Sequence, residues 1–294
     1  MTSEKRIVRN TRLTLVFIHS MLAHGAFILG TLTLGTLLLA TLALGACSGM
    51  GSGGPNNGAD LPFESPYESP YNPEGLIRDE NGRFAYWKDG ALVSHTGVDV
   101  SSHQGSIDWK AVAADGIDFA FLRIGHRGYT EGEIYLDECF EDNYVGATSA
   151  GLPVGVYFFS QALNEDEARE EAHFVLETLG GRTPNYPIVY DFEPVSDVNG
   201  RANALDARQR TRNALAFCEV IKQAGYAPML YGNAQDRAHY YADPLEGYPF
   251  WFAEYGTEFP SGQFDFSIWQ YSSSGEVAGI TTAVDMNLEF APTP

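Results

Sequence analysis

The spacing of the β-strands constrains this chain more than any other feature. Runs rich in β-branched and aromatic residues recur at GVDVSS (97–102), DFAFLRIG (118–125), LPVGVYFFS (152–160), PIVYDFE (187–193) and APMLYGN (227–233). Helical signals follow each of them, and the first four units stand roughly 20–40 residues apart, room for a crossover helix between parallel strands. Three further runs, PFWFAEY (249–255), FSIWQY (266–271) and TAVDMNL (282–288), are separated by only about 11 residues, enough for a turn and too few for a helix. Eight strands, the early ones alternating with helices, predict an α/β chain folded as a (β/α)-barrel whose final third has lost its helices. A doubly wound open sheet competes with this reading, but no Gly-rich phosphate loop follows the first strand.

The helices carry their own signals. A short one is expected around Trp109 to Ala114, closed by Gly116. A second presents Leu136, Cys139, Phe140 and Tyr144 on one face. A third is capped by Asn164, with Glu167 at the capping-box position. A fourth buries Ala214, Phe217, Cys218 and Ile221 and ends at Gly225.

Ahead of the barrel, a basic start (MTSEKRIVRNTR) leads into an apolar run from Leu13 to Ala46. It ends in Leu44-Gly45-Ala46-Cys47, which resembles a bacterial lipobox with Cys47 as the lipidated residue. The alternative is an uncleaved membrane anchor, because the run is long enough to span a bilayer. Either way, segment 1–47 places the rest of the chain outside the cytoplasmic membrane, since positive charge stays inside. Residues 48–75, rich in Gly, Pro and Ser and repeating Glu-Ser-Pro-Tyr, read as a tether in which a solvated state is favoured over docked tyrosines. Residues 76–96 form a lead-in hairpin turning at Asp89-Gly90, and 97–294 form the catalytic barrel. With Cys47 assigned to the lipid, Cys139 and Cys218 are expected as two buried thiols rather than a disulfide.

Charge narrows the function. The chain carries a net charge of −20, and residues 1–46 hold Lys5, Arg6, Arg9 and Arg12 against Glu4 alone. The remainder therefore has 14 basic and 37 acidic residues, a net charge near −23. Such a surface repels nucleic acid and anionic polymers, and no nucleic-acid partner is expected.

Catalytic groups of such barrels lie at the carboxyl ends of the strands. Four acids occupy such positions: Asp99 in the first strand, Asp191 and Glu193 in the fourth, and Asp285 in the eighth. The first and eighth strands are neighbours in a closed barrel, which brings Asp99 beside Asp285. Asp191 and Glu193 are two residues apart and so share a face. Clustered like charges in a partly apolar pocket raise at least one pKa, as glycoside hydrolysis requires of its acid. Tyr157, Tyr231, Trp251, Tyr255, Trp269 and Tyr271 stand near other strand ends, where aromatic rings suit stacking on sugars. Binding of Arg or capping of loops is the structural alternative for these acids. A metal site joined by His103 and His126 is the other chemical reading, and no HExxH or Cys-rich spacing supports it. No GxSxG elbow supports a serine hydrolase.

The same blocks carry a family likeness. GVDVSSHQGSIDW (97–109), DFAFLRIGHRGY (118–129), AGLPVGVYFFS (150–160), PIVYDFE and IWQYSSSGEVAGITTAVDMN (268–287) resemble, in matching order, the glycoside hydrolase family 25 muramidases. The resemblance implies a TIM-like barrel of modified (β/α)5(β)3 type. It further implies cleavage of the β-1,4 bond between N-acetylmuramic acid and N-acetylglucosamine in peptidoglycan. Glu193 would be the proton donor, and Asp191 would assist through the substrate's acetamido group or a water. Asp99 and Asp285 would complete the acidic cleft, with Arg123, Tyr157, Tyr231, Trp269 and Gln270 lining it. His126 stands where the family often has Tyr, and Thr148 where Lys is common; neither change removes an acid. The expected protein is a cofactor-free, metal-free, monomeric glycosidase held at the cell envelope by an N-terminal lipid or helix, its partner the peptidoglycan glycan strand. A wall-binding module without turnover and a chitinase-like glycosidase are the alternatives; the latter lacks its DxxDxDxE ladder.

Overall fold

The computed structural model of the chain describes residues 67–290, apart from the side chain of Asp243. The apolar N-terminal run, Cys47 and the tether as far as Pro66 lie outside the described residues. After a 3-10 turn at Pro73–Gly75, a small antiparallel sheet forms from β1 (Leu76–Arg78), β2 (Phe84–Lys88) and β3 (Ala91–Leu92). Asp89 and Gly90 join β2 to β3 with φ of 52° and 78°, the left-handed pair that a two-residue hairpin turn demands.

Five β/α units follow. They are β4 (Ser94–Val100) with α1 (Trp109–Ala114), then β5 (Phe119–Arg127) with an edge strand β6 (Ile134–Leu136) and α2 (Phe140–Ser149). Next come β7 (Val154–Phe159) with α3 (Glu165–Leu179), and β8 (Ile188–Asp191) with α4 (Ala207–Gln223). The fifth unit is β9 (Pro228–Asn233) with the short helices α5 (Ala234–Ala238) and α6 (Ala242–Leu245). The last strands, β10 (Phe250–Ala253), β11 (Ile268–Gly275) and β12 (Val284–Phe290), have no helix between them among the described residues. The barrel closes in the order β4-β5-β7-β8-β9-β10-β11-β12 and back to β4, every pair parallel except the two made by β12. This is the modified barrel that the strand intervals and the family resemblance predict.

Inside the barrel, Phe119, Phe121, Val189, Met229, Trp251 and Ile268 form one buried cluster. Two glycines make room for its largest rings. A Cβ on Gly97 would lie 2.3 Å from the Phe119 ring, and one on Gly155 would lie 2.2 Å from the Phe121 ring. Phe119 stacks on Tyr186 at 4.8 Å and Phe121 on Trp251 at 4.7 Å, so the barrel axis is a column of aromatic rings beneath the mouth. A larger cluster fills the layer between strands and helices, including Phe140, Phe158, Phe217 and Ile221.

Where the helices are missing, the small sheet takes their place. Phe84 of β2 packs at 4.9 Å from Trp269 and 5.1 Å from Tyr271 on the outside of β11, while Tyr86 meets Phe290 at 5.2 Å. Tyr71 stacks on Phe290 at 4.0 Å and donates its hydroxyl to the Phe266 carbonyl at 2.5 Å. The expectation of a solvated tether therefore fails at Tyr71, because the uncovered outer face of β11 and β12 is apolar and its burial outweighs the ordering of one segment.

Local expectations are met at α1 and α4 and corrected elsewhere. Helix α2 begins only at Phe140, so Leu136 belongs to β6, and Cys139 is the N-cap, half-buried rather than in the core. Cys218 is fully buried, and both thiols are free. Asn164 caps α3 through the Asp166 and Glu167 amides, but Glu167 does not close a capping box on it. Its carboxylate accepts instead from the Leu163 amide at 2.9 Å and pairs with Arg201 at 2.9 Å.

Candidate active site

The strand ends bring Asp99, Asp191, Glu193 and Asp285 into one cavity of ≈ 250 Å³, lined also by Arg123, Tyr157, Phe159, Tyr231, Trp251, Tyr255 and Gln270. Asp285 arrives by an unexpected route. It lies at the start of β12, and only because β12 runs against its neighbours does that start face the mouth. There it is the direct register partner of Asp99. Asp191 ends β8, Phe192 points away under the Arg210 guanidinium, and Glu193 returns to the cavity side.

Asp99 is the anchored member. Its Oδ1 accepts from the Gln270 and Asn287 side-chain amides, both at 2.8 Å. The Gln270 carbonyl in turn accepts from the hydroxyls of Tyr231 at 2.8 Å and Tyr255 at 2.6 Å, which fixes the orientation of its amide. Asn287 accepts from the Trp251 indole at 2.8 Å. Arg123 donates to Asp137 at 2.7 Å and to Ser102 at 3.0 Å, so its charge is largely committed within the wall. Asp191 differs from Asp99: its Oδ1 is buried with no partner among the described residues.

Burial is the main cause of every pKa shift here. It lifts Asp99 to about 6 against the opposing hydrogen bonds from Asn287 and Gln270. Burial, then the charges of Asp236 and Asp99, lifts Glu193 to about 7. Burial, then Asp99 and Glu193, lifts Asp285 to about 8. Asp191 is pushed well above the carboxylate range by burial, then by Glu193, Asp99 and Asp236. Near neutral pH the cluster therefore retains protons, which is what a general acid needs.

Not every predicted residue reaches the site. Trp269 and Tyr271 alternate with Gln270 on β11 and so face outward, buried beneath Phe84; the Trp269 indole donates to the Glu254 carbonyl at 2.9 Å. His126 stacks on Tyr135 at 5.3 Å, and neither it nor His103 lines the cavity. Among the described residues, no group of three or more His, Cys, Asp or Glu is placed to hold a metal ion.

Three contributors escaped the sequence reading. Phe159 adds a ring to the wall, and Asn287 anchors Asp99. Asp236, buried on α5, is the charge that presses most on Glu193. Its signal was the Asn233-to-Asp236 capping pattern directly after a strand, where the Asn233 side chain accepts from the Asp236 amide at 3.0 Å. A second cavity of ≈ 350 Å³, lined by Asn233, Gln235, Phe252 and Glu254, shares Glu193, Tyr231 and Tyr255 with the first. Glu193 thus stands at the junction of a two-lobed groove.

A closed β/α barrel with a buried carboxyl cluster in a groove across its mouth is an arrangement that suits a glycoside hydrolase. The chain belongs to the glycosyl hydrolases family 25, whose sequence profile matches residues 98–280. It is 30% identical over 199 residues to the autolytic lysozyme of Clostridium acetobutylicum, a match covering 66% of this chain and 55% of that protein. The chain thus spans little more than half the length of that relative. The lysozyme of Streptomyces coelicolor superposes with a TM-score of 0.58 at 27% identity, over 68% of this chain and 93% of that one. The modular autolysin LytC of Streptococcus pneumoniae, solved with a synthetic peptidoglycan ligand, gives a TM-score of 0.60 at 25% identity, over 74% of this chain and 52% of that one.

Proposed function

We propose that the protein is a muramidase that hydrolyses the β-1,4 bond between N-acetylmuramic acid and N-acetylglucosamine in peptidoglycan. The observation that carries this reading is the place of Glu193, half-buried at the junction of the two lobes with its carboxyl lifted to about 7. A glycan strand laid along the groove sets its scissile oxygen over that carboxyl, which donates the proton to the leaving sugar. The family's lysozymes, and the peptidoglycan ligand of the autolysin, support this choice of polymer.

Asp191 leaves the same strand end on the same side as Glu193, a poor position for a nucleophile attacking the opposite face of the ring. Its partnerless Oδ1 suits it to accept a hydrogen bond from the acetamido N–H or from a water. In this mechanism the anomeric carbon is attacked by the substrate's own acetamido oxygen or by that water. Asp99 lends negative charge to the oxocarbenium-like transition state, and Asp285, at about 8, donates a hydrogen bond near neutral pH. Tyr255, 48% exposed, offers the groove an accessible ring for a sugar. The enzyme works as a monomer without a cofactor, on the outer side of the cytoplasmic membrane, held there through Cys47 or the apolar segment before it.

The test is Glu193→Gln, assayed by reducing ends released from purified peptidoglycan and by mass spectrometry of the products. Loss of the proton donor should cost about 10²–10⁴-fold in rate with the thermal transition unchanged. A variant within a few-fold of wild type would remove Glu193 from this role. Binding to the wall without release of sugar by the wild type would make the protein a binding module instead.

A further inference from the structure

We propose that the outer face of the three-stranded sheet is a lipid-contacting foot, which rests on the bilayer to which the tether holds the enzyme. The sheet has two faces. Phe84 and Tyr86 point to the barrel, so Ala85 and Trp87 point away, and register adds Ile77 opposite Ala85 and Leu92 opposite Trp87. Ile77, Trp87 and Leu92 are 53%, 42% and 53% exposed, three exposed large apolar side chains gathered on one small face. The core does not need them there, because the opposite face already covers β11 and β12. An exposed tryptophan with aliphatic neighbours matches the chemistry of a membrane–water interface, where an amphipathic ring lies at headgroup level.

Position and charge select the bilayer over other occupants. Phe290 pairs with Ser94 at the end of the barrel opposite the Asp99–Asp285 pair, and Tyr71 stacks on Phe290, so the tether joins the domain at its floor. Tyr86 packs there too, and Trp87 and Leu92 lie next to it in the sheet. About twenty residues separate Cys47 from Tyr67. Even fully extended, these residues span at most about 70 Å, so the anchor keeps the flank that carries this sheet close to the lipid and supplies the high local concentration that a small patch requires. The electrostatics agree. Between Leu76 and Val93, Arg78, Arg83 and Lys88 equal Asp79, Glu80 and Asp89 in number, and with Arg78 paired to Glu258 and Arg83 to Asp115 this stretch is less acidic than the domain as a whole. An anionic surface therefore repels this face less than the rest of the molecule.

This inference rests on the membrane-anchor reading, and its test separates the two. The full chain, extracted from membranes in detergent, is reconstituted into vesicles of equal parts phosphatidylethanolamine and phosphatidylglycerol carrying brominated acyl chains. Trp109, Trp251 and Trp269 are buried, at 4%, 1% and 0% exposure, so Trp87 is the indole that lipid can quench. Flotation is expected for wild type, Trp87→Phe and the double variant Ile77→Ser/Leu92→Ser alike. Quenching is expected in wild type, absent in Trp87→Phe, and several-fold weaker in the double variant, which should still hydrolyse soluble glycan fragments at the wild-type rate. Flotation without quenching would overturn the foot and leave the anchor standing; failure to float would overturn both. Trp87 emission that responds to glycan fragments or to protein concentration, and not to lipid, would give the face to a sugar or a second copy and end the proposal.

Discussion

Glu193 owes its proton to neighbours as well as to burial, and Asp236 is the most telling of them. A negative charge nearby favours the protonated form, so neutralising Asp236 should lower the Glu193 pKa from about 7. Asp236→Asn is therefore expected to move the alkaline limb of the kcat/KM profile to lower pH by about 0.5–1 unit. A limb that stays put would show the two carboxyls to be uncoupled. Asp99 and Asp285 were legible as a pair in the sequence, because strands one and eight must meet in any closed barrel. Gln270 and Trp269 could not both be right, since adjacent residues of a strand face opposite ways. The structure gives the mouth to Gln270. Asp236 was hidden for another reason: it lies in a helical turn after β9, and a capping pattern announces a helix start, not what the capped turn buries.

At the level of elements, the sequence intervals revealed five helix-linked strands and three bare ones, but not the direction of the last. Intervals of about 11 residues accommodate either a hairpin or a tight parallel link, and β12 took the hairpin. The coverage of the bare flank was equally obscure, because the apolar positions of β2 state that a face is buried without saying against what. Helix α3 shows how units are locked to the barrel. Arg127 of β5 donates to Glu171 at 2.7 Å, and both side chains are nearly inaccessible, at 4% and 0% exposure. Glu171 also accepts from Ser160 at 2.6 Å. Arg127→Met leaves that carboxyl buried without its cation, and about 3–5 kcal/mol of stability should be lost. Urea unfolding reads this as a lower midpoint at unchanged slope; an unchanged midpoint would mean the pair contributes nothing net.

For the whole molecule, the mouth cluster ties stability to pH. Asp99, Glu193 and Asp285 have folded pKa values of about 6, 7 and 8, all above those of free carboxyls. The folded chain thus keeps protons that the unfolded chain has released. This contribution is fully present below about pH 4 and is lost as pH rises through 6 to 8. Carboxylates held by cations, such as Asp115 beside Arg83, have lowered values and weaken the fold only toward more acid conditions. The melting temperature should therefore fall steadily from pH 5 to pH 8, and Asp285→Asn should flatten that slope; a flat wild-type profile would contradict the cluster's assigned protons.

The reversed final strand has one more consequence. It brings the polypeptide home to the side from which it entered, Phe290 lying against Tyr71. A module joined beyond Phe290 would start on the side away from the Asp99–Asp285 pair, so it could be gained or shed without redesigning the catalytic opening.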